Sequence, residues 1–150
     1  MNPRAEIWNV LHDGSIDSIE GSVPGDIEMR VGILYLREMF SNDGEAIVVR
    51  LTNCTKLAMK IWEDDVVTDD HERIVSIDTE ILSTKSQDVP VQIITTLGEL
   101  EVDFKDLSLS LDNGKQITFE QLCDACKSYW NRWENESRQN KSLHSTADRA

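Results

Sequence analysis

Apolar and polar residues alternate with period two over most of this chain, in short runs separated by turn residues, the pattern of consecutive antiparallel strands. The clearest run covers residues 26–36, where Ile27, Met29, Val31, Ile33 and Tyr35 share one face and Glu28 and Arg30 lie opposite. Ahead of it, residues 15–21 read as a strand carrying Ile16 and Ile19, and Val23-Pro24-Gly25-Asp26 then has Pro and Gly where a type II turn wants them. Asn42-Asp43-Gly44 supplies residues that tolerate positive φ, so a strand at 46–52 is expected to fold back as a hairpin partner. In a fourth strand Leu57, Met59 and Ile61 alternate against Lys56, Ala58, Lys60 and Trp62. Further strands are expected at 74–82, 89–96, 99–104 and 107–111, with Leu97-Gly98 as a tight turn and LSLSL as a pure alternation.

Near the C-terminus the period changes. Thr118 is followed three residues later by Gln121, a capping box in which each side chain satisfies an otherwise unpaired terminal N–H. Phe119, Leu122, Cys126, Tyr129, Trp130 and Trp133 then fall on one stripe, so a helix over 118–135 is expected to pack that stripe on the sheet. Residues 136–150 lose the apolar period and are rich in Ser, Asn and small residues, which reads as a disordered polar tail. The pattern predicts a single α+β domain over 1–135, an antiparallel β-meander curled into a sandwich or partial barrel and packed by one C-terminal helix.

Composition narrows the classes. At 150 residues, 39% apolar and 29% charged, the chain is long enough for one real core and reads as an ordinary soluble globule. Its longest nearly apolar run, VGILYL, is far short of the roughly 20 residues of a membrane-spanning helix. The opening MNPRAEIWNV has no apolar stretch behind a basic segment, and three Cys make no disulfide framework, so a cytoplasmic protein is expected. A net charge of -13 repels phosphate backbones and anionic lipid, which argues against nucleic acid and membrane as partners. From Glu136 onward two acids, Glu136 and Asp148, meet three bases, Arg138, Lys141 and Arg149, so the acid excess belongs to the body.

Candidate chemistry is sparse. His12-Asp13 has the residue types of a metal-phosphohydrolase pair, yet such a site needs further ligands, and only His71 and His144 remain among histidines. The simpler reading has Asp13-Gly14 ending one segment and opening a strand, with His12 bonding the loop. Cys123 and Cys126 have C-x-x-C spacing, but the first lies five residues past the Thr118 cap, beyond the turn where a helix N-terminus activates a thiol. Buried, inert thiols on the apolar face are expected, and zinc lacks a second pair. Gly114 and Glu120 have the spacing of a calcium loop's turn glycine and bidentate acid, but Leu109 and Leu111 stand where its first ligands belong, so that site is rejected. Residues 63–72 hold six carboxylates, Glu63, Asp64, Asp65, Asp69, Asp70 and Glu72, with no Lys or Arg. Most such runs are solvated loops; the sharper reading is a docking surface for a basic protein, and a cation site is the third.

The order Trp8, His12-Asp13-Gly14, Ile16, Ile19 and a following Pro-Gly hairpin resembles the opening of small bacterial β-rich families, some of them uncharacterised and some immunity proteins of polymorphic toxin systems. The resemblance covers about the first thirty residues, and its core is a short motif. It implies a cytoplasmic protein that blocks a toxin by binding it, with no catalytic residues to carry over. The expected function is therefore a non-enzymatic, acidic protein-binding module without cofactor or metal, using Asp64, Asp65, Asp69, Asp70 and Glu72 toward a basic partner. The alternative is a small-ligand or metal-binding domain with a pocket at His12 and Asp13. A third reading leaves Tyr129, Trp130 and Trp133 as aromatic anchors for another protein.

Overall fold

A computed structural model describes residues 2–76, 78–86 and 88–149, with side chains through residue 136. The chain opens with a helix, α1 (Pro3–Val10). Asn2 caps it, its side-chain oxygen accepting the Arg4 N–H at 3.0 Å, and Pro3 stands at a first-turn position where a missing N–H costs nothing. Ile7, Trp8 and the following Leu11 are wholly buried, and the Trp8 indole keeps its donor satisfied on the Arg4 carbonyl at 2.9 Å. Period-two segments then form β1 (Ser15–Gly21), β2 (Gly25–Gly32), and, after the short α2 (Leu34–Arg37), β3 (Ala46–Cys54) and β4 (Lys56–Ile61). There follow β5 (Val66–Thr68), α3 (His71–Ser76), β6 (Ile81–Thr84), β7 (Val91–Thr95), β8 (Gly98–Asp103), β9 (Asp106–Leu111), β10 (Gln116–Ile117) and α4 (Phe119–Arg149).

The strands make two five-stranded antiparallel sheets, ordered β1-β2-β3-β9-β10 and β5-β4-β8-β7-β6, and neither closes into a barrel. Each sheet has one apolar face, and the two faces cover each other, as a two-layer fold requires. Ile27, Met29, Val31, Ile47, Val49 and Leu51 come from the first sheet, and Leu57, Met59, Val91, Ile93, Leu100 and Val102 from the second, into one core. The chain passes between the layers at one corner. β3 continues into β4 through Thr55, and β8 continues into β9 beside it, with β3 pairing β9 and β4 pairing β8. The two strands bend together: Asn53 adopts φ 51°, the Thr55 N–H donates to Asp103 O at 2.8 Å, and the Lys105 N–H donates to Thr52 O at 2.9 Å. The expected α+β antiparallel architecture is thus present as a sandwich, with the meander broken by these two crossings.

Several elements depart from the periodic reading. The strand expected through residue 36 stops at Gly32, and Leu34 to Arg37 form α2, which buries Leu36 and Arg37. The strand expected at 74–82 is α3 followed by β6: Asp70 accepts the Glu72 N–H at 3.1 Å, and that cap outweighs the β preference of Ile74 and Val75. The capping box at Thr118 forms as expected, with the Thr118 N–H donating to Gln121 Oε1 at 2.8 Å and the Gln121 N–H to Thr118 Oγ1 at 3.1 Å. The helix it starts meets α1 and α2 in place of a sheet face, because the sheets already cover each other. Past its first residue, the segment 136–150 read as a polar tail has its side chains outside the described residues.

Candidate functional site

His12 and Asp13 occupy the turn between α1 and β1. Asp13 has φ 70°, the left-handed conformation that ends a helix, and its N–H donates to Ile81 O at 2.7 Å. Gly14 follows because a Cβ there would strike Val31 Cγ1 at 2.6 Å and Leu11 O at 2.9 Å. His12 Nδ1 lies 2.9 Å from Asn9 O, its ring stacks on Trp130 at 5.7 Å, and its carbonyl accepts the Tyr35 hydroxyl at 3.0 Å. Tyr35 in turn sits 4.5 Å from Tyr129, and burial first, then the neighbouring Cys126, pushes its phenol above the usual range. Neither His12 nor Asp13 lines any of the five principal clefts, and among the described residues no three His, Cys, Asp or Glu converge as metal ligands. The aromatic stripe of α4 is therefore a packed seam against this turn, from which Trp133 emerges at 51% exposure.

The acidic run follows a different course. β4 ends at Ile61, a turn carries Trp62 to Asp65, β5 pairs back along β4, and Asp69 and Asp70 lead into α3. Glu63, Asp64, Asp65, Asp69, Asp70 and Glu72 are all exposed. Lys60 pairs with Asp65 at 3.4 Å and Arg73 with Asp64 at 3.3 Å, while the Asp70 carboxylate caps α3. Among the described residues Glu63, Asp69 and Glu72 have no cation within salt-bridge range. Asp69, Asp70 and Glu72 also form one wall of a cleft of about 640 Å³, opposite Lys56 and the β1–β2 turn. Beside the carboxylates lie apolar side chains in water: Trp62 is 50% exposed and Val67 66%, and the Trp62 N–H donates to Leu97 O at 3.2 Å, placing the exposed Leu97 against the same end of the sheet.

A second set of carboxylates escaped the sequence reading. Arg37 is fully buried, donating from Nε to Asp112 Oδ1 at 2.7 Å, from Nη2 to Asp43 Oδ1 at 2.8 Å, and from Nη1 to Ser41 O at 2.9 Å. Asp112 also accepts the Glu45 and Ala46 N–H groups at 2.9 and 3.2 Å. Burial raises the Asp112 carboxyl, but the Glu45 N–H and the Arg37 guanidinium outweigh it and hold the group at about 2. Asp43, bonded by Ser41, Asn113 and Arg37, lies lower still. Every polar atom here is matched, which marks a structural clamp and not a reactive site. Sequence offered one signal, the helix-forming LYLR ending on an arginine ahead of Asn-Asp-Gly, and nothing in it pointed to Asp112.

The thiols show no activation: burial pushes Cys54, Cys123 and Cys126 above the ordinary cysteine range, the opposite of a reactive thiolate. A cleft of about 850 Å³ lies between the start of α1, β9, β10 and the start of α4; its Arg4 is already held by Asp88 at 3.2 Å and Lys105 O at 3.1 Å. No helix is long and apolar enough to cross a membrane among the described residues. No protein-family model, curated protein or solved structure matches the chain.

Proposed function

We propose that this is a non-enzymatic, acidic protein-binding module of a bacterial cytoplasm, immunity-like or regulatory, whose carboxylates around Asp64 to Glu72 steer a basic protein partner. The observation that carries the reading is the exposed stretch at 63–72, where among the described residues six carboxylates meet two cations, in a chain of net charge -13. A field of one sign accelerates encounter with a partner of the other and rejects like-charged competitors. The side chains of this run offer negative charge and hydrogen-bond acceptors, the groups that binding to a basic surface uses. No cofactor is required for it.

The test is capture from a bacterial lysate at low salt, identification of the bound protein, and titration of that purified protein against the wild type and a variant with Asp64→Asn, Asp65→Asn, Asp69→Asn and Glu72→Gln. The expected result is one stoichiometric basic partner whose affinity falls as salt rises, with the neutralised variant at least about tenfold weaker at low salt. Equal affinity for wild type and variant, or the lack of any stoichiometric partner, overturns the proposal.

A further inference from the structure

We infer that the outer edge of β5 receives an extended, basic segment of a partner protein as an additional strand; this rests on the charge-steered binding proposed above and names how the partner is held. The register decides which backbone groups are open. The Trp62 N–H donates to Leu97 O across the Ile61–Gly98 pair, and a bond so placed flanks a pair that does not itself exchange hydrogen bonds. The neighbouring pair, Lys60–Glu99, is then the bonded one, and Lys60 directs its N–H and carbonyl to β8. Val67 stands opposite Lys60 on the other flank of β4. Because Lys60 has turned away, the N–H and carbonyl of Val67 point outward, and among the described residues no strand pairs with that side of β5.

Edges of this kind are ordinarily blunted by Lys, Pro or a bulge. β5 is short, three residues, but carries no Lys, Pro or bulge: it reads Val66-Val67-Thr68 in a regular register, with Val67 66% exposed. Trp62, one residue past β4, and Leu97 extend the apolar surface at one end. Charge selects the occupant. Glu63, Asp64 and Asp65 stand before β5, and Asp69 and Asp70 stand after it, so an added strand that carries both basic and apolar residues meets carboxylates toward its two ends and the exposed Val67 and Trp62 beside them. A second copy of this chain, with the same carboxylates at the same edge, is repelled.

The probe is a synthetic peptide of alternating lysine and valine, titrated into the full chain and followed by amide hydrogen exchange. Binding is expected to slow exchange of the Val67 amide at least about tenfold. Val67→Pro removes the outward N–H without touching the ladder to β4, and Trp62→Ala removes the aromatic anchor; each is expected to weaken the peptide about tenfold. Unfolding curves establish that each variant is folded, and the exchange measurement on the wild type stands independently of both. Salt-sensitive binding with unchanged Val67 exchange and with Val67→Pro equal to wild type overturns strand addition while leaving the charge-steered reading intact. No binding at about 1 mM peptide in low salt overturns both.

Discussion

Two groups of carboxylates lie in the same chain and have opposite fates. Around Arg37, Asp112 uses one oxygen for the guanidinium and the other for Arg30 and two backbone N–H groups, and Asp43 is held by Arg37, Ser41 and Asn113. At 63–72, the two ion pairs found among the described residues leave the Asp64 and Asp65 side chains 52% and 81% exposed. The difference is supply of donors. The clamp ties α2, the start of β3 and the end of β9, three segments far apart in sequence, so its charges are matched by the fold itself. The run at 63–72 is local, and its carboxylates remain solvated until something outside the chain replaces the water. Acid that the fold has matched stabilises; acid that it has left unmatched is available for recognition.

The sharpest break in this contrast comes from removing the clamp's cation. Arg37→Met leaves the Asp112 carboxylate in a site 7% exposed without its buried partner, and urea unfolding should register a loss of about 3–5 kcal/mol. Partner affinity of the folded fraction should not change. Acid titration is next in size. Asp43 and Asp112 have folded-state pKa values held below the ordinary aspartate value, so the stability they contribute is complete above the unfolded value and is lost as pH falls through the folded one. Urea midpoints of the wild type should therefore decline from about pH 4 toward pH 2, and Arg37→Met should show a shallower decline over that window. A parallel decline in both would place the acid sensitivity elsewhere.

Much of the sandwich was legible because burial on one face writes period two into the sequence: the core positions Ile27, Met29, Val31, Leu57, Met59 and Ile61 all follow from alternation. What alternation could not carry was set by single polar contacts. Ile33 and Tyr35 continue the strand pattern, but the chain turns helical after Gly32 because Arg37 must reach Asp112, a partner 75 residues away. Ile74 and Val75 look like strand, and one carboxylate at Asp70 makes them helix. α1 announced itself only through Asn2-Pro3, a cap and first-turn proline too short to weigh against the strands around it. Of the candidate site, the carboxylates were visible as composition; the valine edge between them was not, since three residues pairing along β4 leave no period to read.

The smallest expected effect on the folded chain belongs to the exposed acids. Replacing Asp64, Asp65, Asp69 and Glu72 by their amides should change unfolding free energy by no more than about 0.5 kcal/mol, because the side chains are solvated and the two pairs they make are screened surface contacts. Asp70 is left in place, since its carboxylate caps α3 and its loss would mix a helix effect into the measurement. The sign should be slightly stabilising at low salt, as the substitutions relieve self-repulsion in a chain of net charge -13. Raising salt toward 1 M, where the screening length is about 3 Å, should erase the difference in urea midpoint between variant and wild type. A loss as large as that of Arg37→Met would mean that the run at 63–72 is a second clamp, and the distinction between matched and available acid would fail at the site where it matters most.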